Sequence, residues 1–585
     1  MVKKVIKNRV IASYHFLVSK DPNLLFLGGL IGIFSGLCSE FFGWLVLVLR
    51  EMFFYGRYEF LSIGPSIAWY FLPFIPMAGG LIIGPLSHLF PTEAKGHGVP
   101  EVMHSIALKK GVIKPRTILL RSFASAICIG SGGSAGKEGP VVQIGSAIGS
   151  SLGQLFNMSA DRMKVLVGCG AAGGIAATFN APLAGVIFSM EIILGDFSIN
   201  TFTPVIISAV TATVISHAFH GNAPAFLVPS YQIVSYWEIL FYIILGLLSG
   251  LIARLYVVTL YWSEDYFEKN LKINPIIKPA VGGFAVGCMA IFLPQILGNG
   301  YETIDRALNG QMVWYITLIL IFMKIIATSI TLGSGGSGGI FAPSLFIGAM
   351  LGGTFGSLVH SLFPAITATK GAYSLVGMGS VIAAAAHAPM TNILILFELT
   401  NDYKIILPIM ASCIISTSVA RYLSKDSIYT LKLRRRGINI HRGREVSIMG
   451  SINVGDVMNK NVETILETAP FRKILTIISR STNSYFPVVN NNKKMVAILS
   501  FSDMREVMFE EGLKDLVVAK DLATTEVITL SPKDNLNEAL EKFVAIDVAQ
   551  LPVVDSKKPD RVIGMLSRGD LISSYNKKVL MAEVQ

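Results

Sequence analysis

Gly130-Ser-Gly-Gly-Ser-Ala-Gly-Lys-Glu-Gly-Pro140 lies between two apolar stretches of a 585-residue chain. Glycines this dense weaken a spanning helix. Non-helical backbone at membrane depth is tolerated only inside protein or beside a water-filled cavity. Its free N–H groups, with a helix beginning near Pro140, offer donors to an anion. A phosphate-loop reading fails on spacing: with Gly136-Lys137 as the Gly-Lys step, Ser131 stands where the first glycine is needed and Glu138 where Ser or Thr is needed. The stretch also recurs. Gly130-Ser-Gly-Gly-Ser134 returns as Gly333-Ser-Gly-Gly-Ser337, an offset of 203 residues that also carries Gly136 onto Gly339, Pro140 onto Pro343 and Gly145 onto Gly348. A second pair, Asn180-Ala-Pro182 with His387-Ala-Pro389 and Glu191 with Glu398, keeps an offset of 207.

Working outward, the surroundings read as membrane. The chain is 52% apolar and 15% charged with a mean hydropathy of +0.58, against about 25% charged in soluble domains. Leu24–Leu49 carries one charge, Glu40; 66–90, 201–217, 239–253 and 405–420 carry no Asp, Glu, Lys or Arg. A bilayer core takes a helix of about 20 such residues. The fold class expected is mainly α, a polytopic helical membrane protein, with a smaller α/β part where composition changes after about Arg421. The +11 charge gathers in the flanks, at Lys3, Lys4, Lys7 and Arg9 and at Lys432, Arg434, Arg435 and Arg436; cationic flanks mark the cytoplasmic side, so both termini are expected there. Nucleic-acid binding is the weaker reading of the arginines, because they stand where the membrane part ends. No signal peptide is evident. The five cysteines, Cys38, Cys128, Cys169, Cys288 and Cys413, lie in apolar stretches without a CxxC pair and read as buried small residues, neither disulfides nor a metal site.

Two related halves in a transporter meet at the bilayer midplane, where broken helices form the substrate site; the repeat alone leaves their orientation, parallel or inverted, open. Two helix N-termini meeting at one point hold an anion without a full positive charge, so that the ion can also leave. A carboxylate there is costly and usually functional. Glu138 is stabilised by the same dipole that would hold an anion. It can compete with a halide for one site and leave when protonated. The plainer alternatives are a helix cap or an ion pair with Lys137.

Three segments resemble signatures of the CLC family of chloride channels and chloride/proton antiporters: Gly96-His97-Gly98-Val99-Pro100-Glu101, Gly136-Lys137-Glu138-Gly139-Pro140 and Gly339-Ile340-Phe341-Ala342-Pro343; Tyr429 falls where the family's pore tyrosine follows the last membrane helix. The resemblance implies two inverted repeats, a homodimer with one pore per subunit, and Glu138 as gate. It implies chloride held by the N–H groups of Ile340 and Phe341 and the Tyr429 hydroxyl, with His97, Gly98, Lys137 and Gly339 around it. Two positions depart from the pattern. His97 replaces a chloride-contacting serine; its imidazole can donate to an anion, more strongly when protonated, unless the ring turns away and leaves only its backbone facing the ion. Ile192 replaces the inner proton-relay glutamate, one residue after Glu191, and tilts the reading toward a passive channel over an antiporter.

The tail also repeats. Phe486-Pro-Val-Val489 followed by Ala497–Asp503 matches Leu551-Pro-Val-Val554 followed by Gly564–Asp570, and resembles a tandem CBS pair. That resemblance implies an adenine nucleotide such as ATP or AMP, with Ser500 and Ser567 near phosphate and Asp503 and Asp570 near ribose; a rigid dimerisation platform is the equal alternative. The expected domains are 1–430 (transmembrane), 431–447 (basic linker), 448–512 and 513–585 (the CBS copies), in the plasma (inner) membrane of a prokaryote. No cofactor beyond the transported chloride, no metal and no enzymatic chemistry are expected. A CBS-linked magnesium pathway would need more midplane carboxylates than Glu138 and Glu191 supply, and no nucleophile–base pair supports a CBS-regulated enzyme.

Overall fold

The computed structural model describes residues 22–584 except 55–67, 222–225, 227, 230, 232–233, 401, 439–448, 451, 482, 506, 509–511, 513, 515 and 557. The basic N-terminal residues and most of the linker thus lie outside the described residues. The chain divides into two compact units, Met1–Lys432 and Leu433–Gln585.

Among the described residues of the first unit, leaving aside single turns such as Pro91–Ala94, eight helices are followed by eight counterparts. The first set is α1 Pro22–Phe53, α2 Phe74–Leu89, α3 Val99–Leu108, α4 Thr117–Gly130, α5 Glu138–Leu155, α6 Ala160–Phe179, α7 Pro182–Phe188 (continued by a wider turn, Ser189–Leu194) and α8 Ile199–His220. The second is α9 Glu238–Asp265, α10 Lys278–Phe292, α11 Tyr301–Leu308, α12 Trp314–Gly333, α13 Phe341–Leu362, α14 Lys370–Ala386, α15 Pro389–Thr400 and α16 Ile406–Leu423, after which α17 spans Thr430–Arg435. Among the described residues six helices are long and apolar enough to cross a membrane, and shorter apolar ones accompany them.

The packing answers the question of orientation. Helices α2 and α10 run antiparallel on small residues. A Cβ at Gly84 would strike the Ile276 carbonyl, one at Gly80 Pro279, one at Gly283 Pro76 and one at Gly287 Pro73, so positions advance along one helix as they retreat along the other. The short helices do the same. Glu191, beyond the end of α7, accepts from the Met390 and Thr391 N–H groups at the start of α15 (3.3 and 2.8 Å). Glu398, near the end of α15, accepts from Leu183 and Ala184 at the start of α7 (2.9 and 2.7 Å). Corresponding elements run in opposite directions, which makes the repeats inverted. The 203-residue offset also relates two hydrogen bonds between the repeats to one another, Ser125 Oγ with Ser337 Oγ (2.9 Å) and Thr328 Oγ1 with Ser134 Oγ (3.0 Å).

The breaks between helices follow from sequence. Asn180 and His387 both take φ +57° at the ends of α6 and α14, a left-handed residue that stops a helix, and the Ala-Pro that follows in each restarts one with proline in its first turn. These reciprocal caps give a first prediction. Glu191→Gln and Glu398→Gln each remove one carboxylate charge from a helix N-terminus, worth about 1–2 kcal/mol. Thermal unfolding should fall equally in both; a transport defect confined to Glu191→Gln would mark a role there beyond capping.

In the second unit, β1 Ile465–Leu466 pairs parallel with β2 Tyr485–Val489, which pairs antiparallel with β3 Met495–Ser500; β4 Gln550–Asp555 pairs antiparallel with β5 Lys558–Ser567. Each core is completed by a segment that precedes the other copy. Met449, Ile452 and Val454 pack with Leu530, Phe543, Val553 and Leu566, whereas Ala519 packs with Phe471, Phe486 and Leu499. The two copies are therefore interlocked and are expected to unfold together.

Candidate functional site: the meeting point of the broken helices

Helices α5 and α13 both begin in the first unit's interior, at Glu138 and Phe341. The glycine-rich loops before them are stitched together: Gly136 N–H donates to Gly339 O (2.8 Å) and Gly339 N–H to Gly136 O (2.6 Å). The Gly96–Gly98 loop joins the same point, Gly96 N–H donating to Gly336 O and Gly338 N–H to Gly96 O, both at 3.3 Å. Gly96 and Gly98 each take φ +89°, a conformation strained for other residues, and a Cβ at Gly98 would stand 2.4 Å from the Gly139 carbonyl.

Glu138 sits at this junction, 1% exposed. Its Oε2 accepts from the Ala342 N–H at the start of α13 (3.2 Å), and its Oε1 accepts from the Tyr301 hydroxyl. The carboxylate of one repeat thus occupies the helix N-terminus of the other, as an anion would. Lys137 Nζ lies 5.6 Å above the Tyr301 ring. A cavity of about 870 Å³, lined by Glu40, Lys137, Asn180, His220, Tyr301 and Glu302 among others, reaches these two neighbours of Glu138.

Most of the other residues expected in the first unit are buried. Ile340 and Phe341 are buried, Phe341 with ring centroids 5.5 Å from Phe179 and 6.4 Å from Phe188. Tyr429 is buried; the preceding Ile428 is fixed at both backbone groups, its N–H donating to Ala385 O (2.8 Å) and its carbonyl accepting from Tyr261 OH (2.5 Å). His97 is fully buried, its ring 6.3 Å from that of Tyr261. Ile192 is buried, and Glu191 is engaged at α15 as described. In the second unit Asp503 accepts from both Ser500 N–H and Oγ (2.8 Å each), and Asp570 from Ser567 N–H and Oγ (3.2 and 2.6 Å). The four residues expected near a nucleotide thus form two like turns at strand ends, the second of which opens the helix Arg568–Val584. Among the described residues no three His, Cys, Asp or Glu gather as a metal site.

Sequence reasoning missed Tyr301, Ala342 and two buried cations. Tyr301 opens α11, and the 203-residue offset that carries Gly98 onto it was the available signal. Arg121 and Lys324 stand at that same offset, on α4 and α12. Arg121 Nη2 donates to Gly96 O (2.6 Å) and Lys324 Nζ to Ile296 O and Gly298 O (2.9 Å each), so each pins the loop that leads into the helix preceding its own, α3 or α11. Tyr301→Phe removes one of the two donors to Glu138. At about 1 kcal/mol per such bond, anion efflux at neutral pH should rise severalfold if this carboxylate gates the path.

An inverted-repeat membrane protein whose broken helices aim N–H donors at one buried point belongs to the anion-transporting class. The comparisons agree. The family model described as voltage gated chloride channel matches residues 79–421, and the CBS domain model matches 454–510 and 519–577. A Ralstonia nicotianae protein described as "Putative chloride channel protein ClcB-like" is 34% identical, over 70% of this chain and 97% of its own length. The H(+)/Cl(-) exchange transporter ClcA of Vibrio campbellii is 33% identical over 71% and 89%. A solved slow cyanobacterial Cl-/H+ antiporter superposes with a TM-score of 0.65 at 26% identity, covering 71% of this chain and 98% of that one. A eukaryotic CLC transporter shares the fold over 94% and 97%, with a TM-score of 0.61 at 20% identity. The chain belongs to the CLC family of chloride channels and transporters and carries a C-terminal CBS pair. It is an integral membrane protein of anion transport, in a family of channels and transporters rather than enzymes.

Proposed function

We propose that the protein moves chloride through a site at the junction of α5 and α13, with Glu138 as its gate. The observation that carries this is the Glu138 carboxylate accepting from Ala342 N–H at the start of α13. An anion and the carboxylate compete for one set of donors, and protonating the carboxylate frees them. In this reading Ile340, Phe341, Gly339 and Tyr429 line the anion's place, His97 and Gly98 close one side, and Lys137 adds positive potential. Passive conduction is favoured because Ile192, an apolar side chain, carries no proton. Proton-coupled exchange is the second reading, supported by the relatives and solved neighbours named as exchangers.

The domains proposed are 1–430 for transport, 431–447 as linker and 448–512 and 513–585 as regulatory copies, with a homodimer in a prokaryotic plasma membrane and both termini cytoplasmic. The CBS pair takes ATP or AMP at Ser500, Asp503, Ser567 and Asp570, or serves as a dimerisation platform. Calorimetric titration of each nucleotide into the full chain separates the two. Recording chloride efflux and external pH together from proteoliposomes tests the transport reading: chloride flux without proton movement supports conduction, and uphill proton movement against the chloride supports exchange.

A further inference from the structure

Beside the site lies a second charged cluster. His97 Nε2 is 4.0 Å from Glu264 Oε1, and the same oxygen accepts from Lys432 Nζ at 3.0 Å. Glu264 stands near the end of α9, which runs on as a wider turn through Tyr266–Asn270, and its negative charge lies close to a path meant for anions. Lys432 offsets that charge, and its ammonium lies so close to the His97 loop that a Cβ on Gly96 would come within 2.9 Å of it. Exposure is graded along the cluster: the His97 side chain is 0% exposed and that of Glu264 17%. Glu264 is thus the partly exposed member of the pair and His97 the enclosed one.

We propose that Glu264 and His97 form a proton-loading pair for the anion site, with Lys432 as the positioning residue. This rests on reading that site as the chloride path. The proton binds a Glu264 carboxylate oxygen and, once the two side chains close from 4.0 Å to hydrogen-bond distance, passes to His97 Nε2, leaving Glu264 ionised again; only O–H and N–H bonds form and break. With Glu264 and Lys432 opposite in charge, the cluster is neutral when His97 is neutral and carries one positive charge when His97 is loaded. The loaded state holds chloride more tightly. Proton entry of this kind does not involve position 192. The other charged or titratable groups around the His97 loop are Tyr261 on α9, Arg121 on α4 (bonded to Gly96 O) and Glu138 on α5, whose neighbour Gly139 packs on the His97 carbonyl; Lys95 and Glu101 flank the loop in sequence.

The test uses the full chain in detergent with Glu138→Gln as background, which removes the gate's own titration. Chloride binding is measured calorimetrically across the acid-to-neutral range. Expected is a roughly tenfold tightening as His97 gains its proton beside the anion. With His97→Ser added, chloride still binds but without pH dependence. With Glu264→Gln added, the tightening moves to lower pH, because the imidazolium has lost its carboxylate. A pH response unchanged by both added substitutions, or none in the Glu138→Gln background, would overturn the pair while leaving the chloride site standing. No chloride binding at any pH would overturn the site itself and the pair with it.

Discussion

Glu138→Ala is expected to pass chloride at neutral pH at a rate on the order of thirtyfold above the unaltered protein, since two hydrogen bonds at about 1 kcal/mol each amount to about 2 kcal/mol, and to lose its response to pH. The carboxylate now accepts from Ala342 N–H and Tyr301 OH. Without it those donors face an anion at all times, so occupancy no longer depends on a proton. Efflux from proteoliposomes with valinomycin and potassium reads both quantities. A variant with unaltered rate and unaltered pH response would mean that Glu138 is only a helix cap.

The second large effect concerns folding. Helices α5 and α6 touch backbone to backbone, as do α13 and α14. A Cβ on Gly145 would stand 2.1 Å from the Gly170 carbonyl oxygen, and one on Gly348 2.3 Å from that of Gly377. A carbonyl within a packed helix cannot retreat as a flexible side chain can. Gly145→Leu and Gly348→Leu should each cost more than about 4 kcal/mol and fail to yield monodisperse protein. Gly43→Leu is the control, since a Cβ there meets nothing within 4 Å. Equal behaviour of all three in size-exclusion chromatography would contradict the close packing of the two helix pairs.

Much of this was legible in the chain. The glycine-rich stretches, their 203-residue repeat and the Ala-Pro restarts marked where helices break, because glycine and proline act through local backbone geometry. Orientation of the repeats was not legible from the repeat itself. It is decided by contacts between distant segments, such as Glu191 at Met390 and Gly84 at Ile276, and residue spacing carries no sign of direction. Glu138 stood out because a carboxylate amid glycines is rare, and Tyr301 did not because a tyrosine at a helix start is ordinary. Glu264 and Lys432 are separated from His97 by more than 160 residues and lie at the edges of apolar segments, where charges are expected for solubility; only folding brings them to one ring.

Chloride efflux from liposomes holding the unaltered protein beside its Glu138→Ala variant, at equal protein density, is the most direct measurement of the central claim. Expected are chloride-selective flux in both, pH-dependent in the unaltered protein and pH-independent in the variant. Absence of chloride flux from the variant, in protein that remains folded and monodisperse, would contradict a chloride path through the junction of α5 and α13.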